Sequence, residues 1–261
     1  MPKFAANLST MFGETAFLDR FAAARQAGFD AVEFQFPYAF DADDIGNRLA
    51  RQQQQLVLFN LPAGDWNAGE RGFACDPRRV QQFQDSVAEA LDFAGQLQVT
   101  QLHCMAGKLP PRVSPERAHQ VFVDNLRFAS DAARARGVRL LIEPINTYDI
   151  PGYFLSGTKQ ALAILDEVGA DNLLLQYDIY HMQRMEGELA ATISTHLGRI
   201  GHIQVADNPG RHEPGSGEIH YKFLFDLLDR LGYDGHVGCE YFPATTTVDG
   251  LGWREALLSA P

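Results

Sequence analysis

The sequence predicts one α/β domain, a single (β/α)8 TIM barrel over residues 1–261. Eight short apolar runs recur along the chain, each bounded by Gly, Pro, Asp or Asn, and helical patterns fill the gaps between them. The runs are nearly continuous in apolar residues instead of alternating, as strands covered on both faces are. A regular eightfold strand-helix alternation near 250 residues is the signature of this barrel. An open doubly wound sheet is the main competitor, but no Gly-rich phosphate turn follows the first run.

In chain order the expected strands are FAANL from Phe4, AVEFQF from Ala31, LVLFN from Leu56 and QLHCM from Gln101. They continue with RLLIEP from Arg139, LLLQYD from Leu173, HIQVAD from His202 and HVGCEY from His236. The helix after the third strand reads as capped by Asp76 with Pro77 in its first position, and Val80, Phe83, Val87, Leu91 and Ala94 share one face. The next repeats this grammar, with Ser114 as cap, Pro115 following and Gly137 as the stop. The segments AFLDRFAAARQAG and YKFLFDLLDRLG end on glycine in the same way. No domain boundary interrupts the pattern.

Composition narrows the function. Apolar residues make up 46% and charged residues 21%, enough for a large core and too apolar for a disordered chain. A formal charge of -11 opposes a nucleic-acid partner, whose binding depends on Lys and Arg neutralising phosphates. Cys75, Cys104 and Cys239 are odd in number and in no metal-binding spacing, which fits free thiols in a reducing cytosol. The N-terminus MPKFAANLSTMF is too polar for a signal peptide and no run approaches membrane-spanning length, so a soluble cytoplasmic protein without a membrane partner is expected. Apolar helix surface is compatible with a homo-oligomer.

In such a barrel, functional groups project from the C-terminal strand ends. Strand five ends in Glu143, strand six in Asp178, strand seven carries Gln204 and strand eight ends in Glu240. Converging at one mouth, three carboxylates would repel one another unless a cation held them, and oxygen ligands favour Mg2+ or Mn2+ over zinc. Any one strand-end acid is more often a surface or salt-bridged residue; three acids and a glutamine on four successive strands favour a site. His181, three residues past Asp178, is placed to polarise a carbonyl or orient a substrate. Arg211, in the Gly/Pro-rich loop after strand seven, offers a planar fork for an anionic substrate, with Lys108 beside strand four as a second, weaker candidate. His103 reads equally as a packed core residue. Glu33 ends strand two across the barrel, where hydrogen bonding is favoured over catalysis. The long loop NLPAGDWNAGERGFACD reads as a lid, with Trp66 over the site.

Several stretches then carry a resemblance: GFDAVEFQFPY, LFNLPAGDWNAGERG, HCMAGK, IEPIN, QYDIYHMQRMEG, GHIQVADNPGRHEPGSGEI and GCEYFPATTTVDGLGW. Together they span nearly the whole chain, and it resembles the hydroxypyruvate isomerase family within the xylose-isomerase-like TIM barrels, a family that includes 2-oxo-tetronate isomerases. The resemblance implies that Glu143 and Glu240 are paired proton donor/acceptors and that Glu143, Asp178, Gln204 and Glu240 are metal ligands. It implies substrate contacts from His181 and Arg211. Related ketose epimerases have His where this chain has Gln204, and Glu where it has Asp149.

The implied reaction interconverts 2-oxo-3-hydroxy acids and 3-oxo-2-hydroxy acids, hydroxypyruvate and tartronate semialdehyde in the three-carbon case. A divalent cation would stabilise the enediolate while the glutamates move the proton, and Arg211, with Lys108, would hold the carboxylate of a small anionic hydroxy-oxo acid. The alternatives are a 2-oxo-tetronate isomerase, a ketose 3-epimerase and a non-catalytic metal-containing sugar-acid binding barrel. A phosphodiesterase of the endonuclease IV type needs a metal cluster and a basic face that an acidic chain with few placed histidines does not offer.

Overall fold

A computed structural model describes residues 2–258. All eight expected strands form: β1 (Lys3–Asn7), β2 (Ala31–Glu33), β3 (Gln55–Asn60), β4 (Gln101–His103), β5 (Arg139–Ile142), β6 (Leu173–Asp178), β7 (Ile200–Val205) and β8 (His236–Cys239). They are parallel and close on themselves in sequence order, β8 pairing with β1. Register is what builds the site. Asp178 stands opposite Gln204 in the β6–β7 pair, Gln204 opposite Gly238 in the β7–β8 pair, and Asn7 opposite Glu33 in the β1–β2 pair.

Alternation along each strand divides the core in two. Outward residues such as Ile142, Leu175, Ile203 and Val237 pack against the helices in the larger apolar cluster. Inward residues form a smaller cluster of Ala5, Ala31, Val57, Leu58 and Leu141, with Leu174 against it. Two residues further along the same faces the interior turns polar: Leu141 is followed by Glu143, Leu174 by Gln176 and Asp178, and His202 by Gln204, the polar members all buried. An apolar floor therefore carries a polar upper tier.

The helices follow the expected grammar with one correction. Ser114 caps the helix Pro115–Arg134 by accepting the Arg117 N–H, with Pro115 at the start. Gly137 follows that helix with φ 69°. The helix Val80–Leu97, however, begins at Val80 and not beside Pro77. Asp76 instead accepts hydrogen bonds from the backbone N–H and guanidinium of Arg78, so its carboxylate closes a local turn before the helix starts. Phe83, Val87, Leu91 and Ala94 form the buried face as expected. Among the described residues, no helix is long and apolar enough to cross a membrane.

At Gly238 the polar tier needs the absence of a side chain. A Cβ there would collide with both carboxylate oxygens of Glu33, a buried group held by Asn7, His202 and Gln204. Gly238→Ala is therefore expected to force Glu33 out of its hydrogen bonds and to lower stability by about 1–3 kcal/mol, measured as a reduced urea midpoint with an unchanged slope.

Candidate active site

Glu143 and Glu240 each lie one residue past the end of their strands and line one cavity of about 390 Å³ at the C-terminal mouth of the barrel, together with His181, Arg211 and Gln176. Asp178 and Gln204 stand opposite each other in the β6–β7 pair beside them, fully or almost fully buried. Two glutamines connect the acids. Gln176 donates from Nε2 to Glu143 Oε2 (3.1 Å) and to Gln204 Oε1 (2.6 Å), while Gln204 donates from Nε2 to Glu240 Oε2 (2.6 Å) and Glu33 Oε1 (2.7 Å). Each carboxylate so bridged keeps one oxygen facing elsewhere. Gln176 was not among the expected site residues, although its place two before Asp178 puts it on the same strand face.

Arg211 is the cation of this cluster. Its Nη2 donates to Glu240 Oε1 (2.9 Å) and lies 3.6 Å from Asp178 Oδ2. The loop that delivers it is tied from within: the Asp207 carboxylate accepts the N–H groups of Asn208, Gly215 and Ile219. The Arg211 carbonyl accepts the Phe242 N–H, which joins this loop to the one after β8. Arg211 itself has φ 56°, a left-handed conformation unfavourable for a side-chain-bearing residue, and these bonds hold it there.

His181 follows Asp178 at the start of the short helix Ile179–Met185, whose first N–H groups the Asp178 carboxylate caps. Asn146 accepts the Asp149 N–H through Oδ1 (2.8 Å), so its amide nitrogen is the atom facing His181 Nδ1 at 2.6 Å. The ring nitrogen Nδ1 thus accepts, and the proton of the neutral imidazole is on Nε2. That nitrogen lies 3.6 Å from Glu143 Oε1 and 3.7 Å from Asp178 Oδ2. Burial, with Arg211 nearby, holds the His181 pKa well below its ordinary value and keeps the ring neutral.

Burial dominates the acids as well. It pushes Glu143 well above the usual carboxylate range, reinforced by Glu240 and Asp178. Glu240 is raised to about 7, burial again leading and Arg211 only partly opposing. Asp178 is raised by burial in spite of Arg211 and the capping N–H groups. His103, whose Nε2 lies 3.5 Å from Glu143 Oε2, is depressed to about 3 by burial and by His202.

The acidic groups are suited to a divalent cation. Glu143, Asp178 and the ring of His181 bring polar atoms within 4.8 Å of one another, all from buried residues, with the two carboxylates as the ligands and His181, protonated on Nε2, as a donor beside them. Asp178 Oδ2 is buried without a hydrogen bond, with the Arg211 guanidinium 3.6 Å away, so it keeps acceptor capacity that a bound cation would use.

Other expected residues fall differently. Lys108 does not line the cavity; its Nζ donates to the Gly69 carbonyl and the residue lines a neighbouring groove. Trp66 does line the cavity, at its rim. Glu33 is less remote than its strand number suggests, since it meets Gln204 across the interior and accepts from His202 Nε2 at 2.6 Å. Gln35, which donates to Glu240 Oε1 (2.9 Å), and Arg71 also line the mouth and were not anticipated.

A family model described as xylose isomerase-like TIM barrel matches residues 21–257. Hydroxypyruvate isomerase of Escherichia coli is 51% identical over 255 residues, 98% of this chain and 99% of the relative. A 2-oxo-tetronate isomerase of Cupriavidus necator is 49% identical over 258 residues, 99% of either chain. The solved structure of a Brucella melitensis protein described as AP endonuclease, family 2, is similar at a TM-score of 0.95 and 44% identity, covering 98% of this chain and 99% of that one. A 3-keto-D-glucoside 4-epimerase of E. coli, at a TM-score of 0.81 and 21% identity over 98% of this chain and all of that one, shares the fold. With matches running the full length of both partners at about half identity, the chain belongs to the xylose isomerase-like TIM barrel family and is a sugar-acid isomerase like its hydroxypyruvate and 2-oxo-tetronate isomerase relatives.

Proposed function

We propose that the protein interconverts 2-oxo-3-hydroxy acids and their 3-oxo-2-hydroxy isomers, with hydroxypyruvate and tartronate semialdehyde as the substrate pair. The observation that carries this reading is a pair of buried carboxyl groups with raised pKa, Glu143 and Glu240, on one cavity and coupled through Gln176 and Gln204. Near neutral pH such a pair holds one protonated and one ionised member, the condition for taking a proton from one carbon and returning one to its neighbour.

Glu143 and Glu240 are the proton donor/acceptors. One removes the proton from C3 of hydroxypyruvate, leaving an enediolate across C2 and C3; the other delivers a proton to C2, and the hydroxyl proton moves from O3 to O2. His181, fixed by Asn146 with its N–H toward the cavity, donates to a substrate oxygen. Glu143, Asp178, Gln204 and Glu240 would hold the cation, Mg2+ or Mn2+, and Arg211 borders the same space. When bound, that ion supplies Lewis-acid polarisation of the substrate's carbonyl and offsets the charge that develops on its oxygens. Free, buried Cys75, Cys104 and Cys239 accord with a reducing, cytoplasmic setting.

The same reaction on 2-oxo-tetronates is the second reading, favoured by the 49% identical relative of that name and by a cavity of about 390 Å³ that accepts a fourth carbon. A coupled assay comparing hydroxypyruvate with both 2-oxo-tetronate enantiomers, before and after chelation, decides between them. Turnover of none of these acids would remove both readings.

Glu143→Gln and Glu240→Gln are each expected to lower kcat by roughly 100- to 10,000-fold with circular dichroism unchanged. In heavy water the product should carry deuterium at the carbon that receives the proton; product without solvent label would point to hydride transfer or to fully internal proton transfer.

Acid-base linkage gives a second prediction, for chelated protein. Glu143 and Glu240 have folded pKa values above their unfolded ones, so they favour the folded state fully below about pH 4.5 and lose that contribution as pH rises through the folded values, about 7 for Glu240. Calorimetry with chelator should show Tm falling from about pH 5 to about pH 8. Saturating Mg2+ or Mn2+ should raise Tm most at the upper end, where protons no longer compete for the carboxylates. A cation effect independent of pH would separate binding from these groups.

A further inference from the structure

An acid substrate needs a cation for its carboxylate, and the cavity offers two arginines, Arg211 and Arg71. Arg211 is already engaged: Glu240, Asp178 and Glu143 all act on it, with Nη2 at 2.9 Å from Glu240 and 3.6 Å from Asp178. Its charge offsets acids that belong to the reaction. Lys108, the other cation expected from sequence, is turned to the Gly69 carbonyl.

Arg71 differs on each point. It is half-buried on the loop between β3 and the helix Val80–Leu97, and among the described residues it has no acidic partner within salt-bridge distance. Its Nη1 donates to the carbonyls of Trp66 (2.9 Å) and Glu70 (2.6 Å), leaving Nε and Nη2 without an acceptor among the described residues. The guanidinium lies 3.8 Å from the centroid of the Trp66 ring, and Trp66 packs in turn on Phe36 at 5.1 Å. Both flanks of Arg71 are anchored. Glu70 is held by Arg79 and the Asp65 N–H, and Gly72 bridges Ala106 in a backbone approach (φ 91°) so close that a Cβ would meet Met105 at 2.6 Å.

We propose that Arg71 is the anchor for the substrate's carboxylate: its free N–H edge binds the anion while Trp66 and two carbonyls hold the guanidinium plane. This rests on the sugar-acid isomerase reading and makes Arg71 the residue that separates acids from neutral sugars. A planar fork braced against an aromatic face binds a carboxylate with little further ordering, and a lysine in its place keeps the charge but loses the fork.

The test uses tartronate, an unreactive hydroxy-dicarboxylate, and dihydroxyacetone, a three-carbon ketose without a carboxylate, on the metal-loaded protein. Arg71→Ala should weaken tartronate binding by roughly 10- to 100-fold in calorimetry and raise KM for hydroxypyruvate comparably, with kcat changed far less. Dihydroxyacetone affinity should stay within about twofold. Arg71→Lys should recover only part of the loss, and guanidinium ion in solution should restore part of it to Arg71→Ala. Equal tartronate affinity in wild type and Arg71→Ala overturns the proposal, as does a matching loss for dihydroxyacetone, which would mark a merely structural role. Arg71-dependent tartronate binding in a wild-type protein that isomerises no oxo-acid sinks the activity reading and leaves the anchor. Turnover of hydroxypyruvate with unchanged KM in Arg71→Ala does the reverse.

Discussion

Everything at the barrel mouth follows from placing Glu33, Glu143, Asp178 and Glu240 in one buried cluster, with Arg211 as the guanidinium among them. Buried carboxylates cost far more than exposed ones unless paired or hydrogen-bonded. The chain answers by distributing donors. Glu33 receives Asn7, His202 and Gln204; Glu240 receives Arg211, Gln35 and Gln204; Glu143 receives Gln176. Glu33 is fully supplied with partners, while Asp178 keeps an oxygen with no donor. Glu240 accepts as many donors as Glu33, so the unmet acceptor capacity lies with Glu143, which has one, and with Asp178.

The amide network also fixes geometry. Gln204 uses both ends, accepting from Gln176 and donating to Glu33 and Glu240, so a rotation of any one of these side chains breaks bonds at two others. A His at that position could accept or donate through two ring atoms but could not bridge two carboxylates with a single nitrogen. Gln204 therefore ties the site to Glu33 in a way a histidine would not, and Gly238 provides the space that makes the tie possible.

Much of this was legible in sequence because barrel strands are short, apolar and punctuated, and because strand ends share one mouth. Glu143, Asp178, Gln204 and Glu240 could be named from that rule alone, and His181 from its spacing to Asp178. Gln176 was readable in principle from the period of two, but inside the run LLLQYD it looked like an interruption of the core. Lys108 and Arg71 show the limit. Both lie on loops, where spacing carries no direction, and their orientation depends on contacts such as the Lys108 Nζ hydrogen bond to the Gly69 carbonyl and the backbone bridge of Gly72 to Ala106. The start of the helix at Val80 was missed for a related reason: Asp76 has two uses, and the nearby Arg78 decided for the turn.

The apolar floor of Ala5, Ala31, Val57 and Leu141 has a further consequence for traffic through the molecule. With this apolar layer beneath the polar tier, reactant and product reach the acids through the cavity that Trp66 and Phe242 help to line. A carbonyl compound leaving that cavity passes aromatic and arginine side chains and not the amine of Lys108, which is turned to the Gly69 carbonyl. The orientation of one lysine thus spares the exit from condensation with a carbonyl compound.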